Sequence, residues 1–405
     1  MRGHRLSLTS LSLLGLAGLV AAFQLLKGLS IAPHVYGLIP FLHTYADGAL
    51  RRALLPSIFA LAGIKDPNSM AQMAVYLQLI CLVGVASGIA LIAATSQGLR
   101  RLLALMMLVS FVLPGLAALT GYTDSFIALL LLASAYLLRR QKWWPAFILL
   151  LAGLLQHEMM LALALPLLFA QALLQPQNRR ALLAVGGGVI IIAVFLMVAP
   201  VYISALPASE SCQLYLPVDE LQRVIWHDYC TRLTSMQVSD DFNWLRLVLL
   251  PLFALTSGLL MPVLLAVFVI SAAQLQKTSY WVALAFALAL PYGLILFMWD
   301  ADRLLLLAAL SNWLVLDLCL SLAPAPVKRP YQLIAAGLVV LQLGLTYPIV
   351  DHYGAGRVVP PAASDKWLLS ARTPAIAWLD SMGAKPPESL IMCVDPRCQS
   401  NTTSK

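Results

Sequence analysis

The sequence predicts an all-α polytopic membrane protein of about 11 transmembrane helices, with its N-terminus cytoplasmic and its C-terminus extracytoplasmic. Three observations carry that expectation. The 405 residues are 61% hydrophobic and only 11% charged, with a mean hydropathy of +0.85, whereas a soluble domain carries about 25% charged residues. Apolar runs such as LVLLPLFALTSGLLMPVLLAVFVISAA (Leu247–Ala273) are long enough to cross a hydrocarbon core of about 30 Å. Finally, Lys and Arg gather in alternate short connections between such runs. The runs are continuous and do not alternate, which excludes a membrane β-barrel.

The apolar segments fall at 7–27, 70–95, 102–120, 124–138, 145–157, 159–175, 181–200, 246–273, 280–298, 304–324 and 331–350. The first, after MRGHRLSLTS, reads as a retained signal anchor, because no small-x-small cleavage site precedes Lys27. Threading the rest collects Arg2/Arg5, Arg100/Arg101, Arg139/Arg140/Lys142, Arg179/Arg180, Lys277 and Lys328/Arg329 on one face, which the positive-inside rule makes cytoplasmic. The acids agree: of 18 Asp and Glu residues, Asp317 alone lies within an apolar segment, and the others fall on or at the rim of the opposite face. The net charge of +8 therefore expresses orientation. It gives no sign of nucleic-acid binding, which needs basic residues clustered on one face.

The expected organisation is a transmembrane domain over 1–350, with outer loops at 28–70 and 202–244, followed by a small extracytoplasmic tail at 351–405. Cys212 and Cys230 share one outer loop, and Cys393 and Cys398 share the tail, so both pairs are disulfide candidates in an oxidising compartment such as a periplasm. The expected location is a bacterial inner (plasma) membrane, multi-pass, with the site facing the periplasm or exterior. Gly186-Gly187-Gly188 is no phosphate loop, since it lacks the preceding strand and the Lys-Ser/Thr end. Gly84 and Gly88 are a small-xxx-small pair that reads as helix packing.

Four stretches carry residues able to do chemistry. In YADGALRRALLP, Asp47 shares a helical face with Arg51, and Arg51-Arg52 is an outward pair suited to a phosphate, whose oxygens guanidinium forks match bidentately. Asp124 in LTGYTDSFIALL is either a helix cap or a group at the mouth of the same outer cavity. His157-Glu158 follows a segment of only about 20 Å, so the dipeptide is expected at a helix break sunk below the outer surface. Ionisable groups at that depth point to function: His157 as a donor to phosphate, Glu158 as its orienter or as a base. In FMWDADR, Asp300 and Arg303 have the spacing of a local pair, and Asp300/Asp302 could hold a divalent cation, the one cofactor the sequence suggests. Asp317 and Asn312 share an apolar helix and are expected to face the bundle interior.

In order and placement, YADGALRRALLP, GYTDSFIALLLLASAYLLRR, LLAGLLQHEMMLALALPLLF and WDADR resemble the GT-C superfamily of integral-membrane glycosyltransferases, over residues 30 to 305. The resemblance implies transfer of a sugar from a polyprenyl-phosphate donor to a glycan, lipid or protein acceptor at the extracytoplasmic face. It also implies Asp47 as the base that activates the acceptor, with Arg51, Arg52, His157 and Arg303 on the donor phosphate; Glu158 and Asp124 are the other carboxylates of the expected catalytic set. Many members of that superfamily carry two close acids in the first outer loop, where this chain has Asp47 alone before Asp66. Two alternatives stand beside it: a polysaccharide polymerase or ligase on lipid-pyrophosphate donors, and a transporter or flippase. In each case membrane lipids are partners and nucleic acid is not.

Overall fold

The computed structural model describes residues 8–29, 53–64, 67–118, 123–203, 278–294 and 301–322, with short pieces at 329–330, 333–334, 336–337, 347–350 and 356–359. Its elements are α1 (Leu8–Leu29), α2 (Leu54–Leu61), α3 (Pro67–Thr95), α4 (Gly98–Val109), α5 (Val112–Ala118), α6 (Asp124–Arg139), α7 (Trp143–Gln156), α8 (Met159–Leu174), α9 (Arg179–Ile203), α10 (Thr278–Leu294), α11 (Ala301–Leu322), β1 (Tyr347–Val350) and β2 (Gly356–Val359). Among the described residues, three helical stretches are long and apolar enough to cross a membrane: Met73–Thr95, Gly98–Ala117 and Pro176–Leu196, with mean hydropathies of 2.3, 1.8 and 2.0. Several shorter helices, among them Trp143–Gln156 and Met159–Leu174, are equally apolar. Helix α9 keeps much of its apolar surface outward, with Ile191 70% exposed and Leu183, Val194 and Phe195 also exposed. A helix hydrophobic all round suits a lipid surround.

Two expectations are corrected here. The apolar segment 102–120 is two helices. Pro114 has no N–H to give to the carbonyl of Ser110, and it sits in the first turn of α5, which starts at Val112, where no such bond is needed. Ser110 is extended at the break. Its hydroxyl donates to the carbonyl of Met107 at 2.7 Å and accepts the Val112 N–H at 3.3 Å. The freed carbonyl of Val109 accepts a hydrogen bond from the side-chain amide of Gln24, fully buried on α1, at 3.0 Å. The second correction concerns segment 331–350. Its end, Tyr347–Val350, is a four-residue strand paired antiparallel with Gly356–Val359, so this stretch is not helix to its end; the described residues are otherwise helical, in keeping with the expected class.

A single apolar core runs through α1, α3 to α6, and α7 to α11. Glycines set the closest approaches within it. A Cβ at Gly84 would meet Leu129 at 3.0 Å and one at Gly88 would meet Leu132 at 2.6 Å, so the small-xxx-small pair of α3 seats the leucines of α6. Helices α6 and α7 form a hairpin closed by a C-terminal cap in which Gln141 takes a positive φ of 57° and the Lys142 N–H reaches back to the Leu137 carbonyl. Helices α7 and α8 meet closely at Gly153, whose side-chain space is taken by Met160. A separate small cluster of Leu55, Phe59, Met70, Ala74 and Val75 holds α2 on the start of α3.

Candidate functional site

The start of α6 meets the start of α11. Arg303, buried near the head of α11, donates through Nε to one carboxylate oxygen of Asp124 at 2.7 Å and through Nη2 to the other at 2.7 Å. Both side chains are almost fully buried, Asp124 at 1% and Arg303 at 5% exposure. This is the planar, bidentate fork that guanidinium and carboxylate form best. Asp124 makes no side-chain cap, and neither does Thr123 before it, although the Thr123 carbonyl accepts the Ile127 N–H. The capping alternative for Asp124 therefore gives way to a tertiary ion pair.

Fifteen residues further along α6 and fourteen along α11, the same two helices meet again with the charges exchanged. Arg139 at the end of α6 is paired with Asp317 of α11 through Nη1, and donates through Nη2 to the Leu314 carbonyl at 3.2 Å. Arg100 at the head of α4 donates to the same carboxylate from Nε at 2.5 Å and Nη2 at 3.2 Å. Helices α6 and α11 are thus parallel and tied at both ends, the two ionic layers lying about 22 Å apart at 1.5 Å of rise per residue. Asp317 and Asn312 are both buried, as their place on an apolar helix implies.

The expected break at His157-Glu158 is present. Helix α7 ends at Gln156, His157 is extended with φ −160° and ψ 129°, and α8 begins at Met159. His157 is 2% exposed, while the Glu158 side chain is 24% exposed. The ring Nδ1 accepts the Met159 N–H at 3.2 Å and lies 3.4 Å from Oε2 of Glu158. In a neutral ring the first contact requires Nδ1 to be the acceptor, which assigns the ring proton to Nε2. A protonated ring would instead turn Nδ1–H towards Glu158. Because α6 and α7 are a hairpin of similar lengths, the His157 break lies at the same end of the bundle as the Asp124–Arg303 pair.

One residue earlier stands a group that the sequence reading missed. Gln156, fully buried, accepts the backbone N–H of Leu55 at 2.9 Å through its side-chain carbonyl. That bond ties the first turn of α2 to the end of α7. The chain is thereby pinned beside His157 at a point three residues after Arg52. The available signal was a lone amide beside the ionisable dipeptide in an otherwise apolar run.

Asp47, Arg51, Arg52 and Asp300 lie outside the described residues, as do Cys212, Cys230, Cys393 and Cys398. Asp302 lies in the first turn of α11, but its side chain is outside the description. The local Asp300–Arg303 pair falls outside it for the same reason, and what the structure gives Arg303 is Asp124. Of the expected site residues, Asp124 and Arg303 are brought into contact and His157 and Glu158 are adjacent at the same end. The described cysteines, Cys81 and Cys319, are buried free thiols. No protein-family model, curated protein or solved structure matches this chain.

Proposed function

We propose that the chain is an integral membrane glycosyltransferase that moves a sugar from a lipid-phosphate donor to an acceptor at the outer face of a bacterial inner membrane. In this reading the bundle has about 11 transmembrane helices, and the end carrying Asp124, Arg303 and His157 faces outward. The single observation that carries the proposal is the Arg303 fork. Its guanidinium is buried and held flat by the Asp124 carboxylate at the same bundle end as His157 and Glu158, a water-poor setting in which contacts to a phosphate are strongest.

Roles follow from the partners. Asp124 has both oxygens committed to Arg303, so it serves as a positioning residue for the phosphate ligand and is a poor base. Glu158 keeps a partly exposed carboxylate beside His157 and, with Asp47, is the candidate that removes the acceptor proton. His157 with its proton on Nε2, together with Arg51 and Arg52, would share the donor phosphate. In the reaction, the acceptor hydroxyl oxygen attacks the anomeric carbon as the carboxylate takes its proton. The bond from that carbon to the lipid phosphate oxygen breaks, and the arginines stabilise the departing phosphate. The superfamily resemblance supports the donor class, and Asp300/Asp302 would be the residues to hold a divalent cation if the donor brings one.

A transporter or flippase is the second reading, favoured by one observation: the same pair of parallel helices carries an ionic layer at each end, an arrangement that alternating access could open and close in turn. The two readings separate in one assay. Membranes containing the wild type, Arg303→Gln, Glu158→Gln or Asp47→Asn would be given radiolabelled polyprenyl-phosphate sugars, and label would be followed into envelope glycans, with insertion checked for each variant. Transfer by the wild type that drops at least about a hundredfold in Arg303→Gln, the size seen when a transition-state donor is removed, supports the transferase. Label that crosses the bilayer unchanged, or no transfer from any donor, overturns it.

A further inference from the structure

We infer that the opposite end of the bundle holds a second anion site, formed by Arg100, Arg101 and Arg139 around Asp317, that takes a phosphate-bearing anion. The argument begins with charge. Asp317 brings one negative charge and is shared by two guanidiniums, so the cluster keeps a surplus positive charge. Arg139 is only 18% exposed and its Nε–H is buried with no partner among the described residues. Asp317 balances only one of the two guanidiniums it touches, so a further anion beside them is favourable.

The surroundings add to the surplus. Arg101, next to Arg100, donates its Nε–H to the Ser96 carbonyl at 2.9 Å, which holds its guanidinium by the same helix start. Gln97 at the N-cap of α4 makes no side-chain cap, so the first amides of α4 point their positive end of the helix dipole into the same region. Arg140 follows Arg139 and lies over the Tyr136 ring at 5.3 Å. Asp317 is the single acid at this end among the described residues. Arg100 on α4, Arg139 on α6 and Asp317 on α11 thus form a basic cluster where three helices meet at the bundle end, and the inferred recess there is of the kind by which membrane helices hold lipid phosphates on the basic side. It requires nothing of the outer site and stands whether or not that site transfers sugar.

The test uses the full chain purified in a neutral detergent and inserted into nanodiscs of phosphatidylcholine. Native mass spectrometry would count adducts on adding phosphatidylglycerol, and separately inorganic phosphate. The wild type is expected to hold phosphatidylglycerol, and Arg139→Gln to bind it about fivefold more weakly, equivalent to about 1 kcal/mol per arginine. Arg101→Ala, which leaves the Asp317 pairs intact, is the second variant should Arg139→Gln fail to fold, and it is expected to lose a similar factor. Arg179→Ala with Arg180→Ala, exposed at the start of α9, is the control that should change little. If inorganic phosphate protects the recess as well as the lipid does, the anion is soluble and the site stands. Equal binding by wild type and both recess variants, or equal retention of phosphatidylcholine, overturns the inference.

Discussion

Replacing Asp124 by Ala leaves Arg303 in place with its fork empty. The pair is almost fully buried on both sides and each bond is 2.7 Å, so there is little solvent to screen the loss. Breaking a buried pair by removing one partner costs about 3–5 kcal/mol, because the remaining charge stays buried without its counter-charge or drags its helix towards water. That moves the unfolding equilibrium by roughly two to three and a half orders of magnitude. Removing both charges, as Asp124→Ala with Arg303→Met, should recover most of the loss, since an apolar replacement of a buried pair is often neutral. Reversible unfolding of the purified protein in mixed micelles of increasing denaturing detergent, followed by tryptophan fluorescence, measures all three. The expected coupling energy from the double-mutant cycle is at least about 2 kcal/mol. Additive losses, with coupling below about 0.5 kcal/mol, would show that the two groups do not depend on each other, and the positioning role given to Asp124 would fall.

Two further outcomes test the packing and the tether. Gly88→Val should cost about 1–3 kcal/mol in the same unfolding assay, because its side chain enters space held by Leu132, whereas Gly187→Ala, which meets nothing within 4 Å, should stabilise by about 0.4–1 kcal/mol through helix propensity. A cost at Gly187 equal to that at Gly88 would contradict the α3–α6 approach. Gln156→Leu removes the acceptor for the Leu55 N–H and should cost about 1–3 kcal/mol. Amide hydrogen exchange should rise in α2 and stay unchanged in α9, and unchanged exchange in α2 would mean that the tether does not hold it.

The class of fold was legible because hydropathy and charge are one-dimensional quantities. Nine of the expected apolar segments fall on described helices, and the His157 break follows from a simple length: thirteen or fourteen residues of helix end before a full crossing. The break at Ser110 has a signal in Pro114, but hydropathy averages across it, and Pro166 and Pro291 sit inside α8 and α10, so a proline alone does not mark a break. The strand at Tyr347–Val350 was hidden for a similar reason: a short apolar run has no period long enough to separate strand from helix. Gln24 and Gln156 looked like ordinary polar interruptions, since an amide declares its role only through the backbone group it meets.

What the sequence determined by itself is the apolar helical character, the segregation of basic residues into alternate turns, and the ionisable positions that stand out against apolar neighbours. What only the tertiary structure decided is who pairs with whom. Arg303 has Asp300 three residues away and finds Asp124 at a separation of 179 residues, and Asp317 gathers Arg100 and Arg139 from two other helices. Pairing energy depends on distance and burial, which fall off within a few ångströms, and those are fixed by how α4, α6 and α11 pack. Helix packing is set in turn by the seats that Gly84, Gly88 and Gly115 leave for leucines across the interface, a complementarity of shape that no single segment contains.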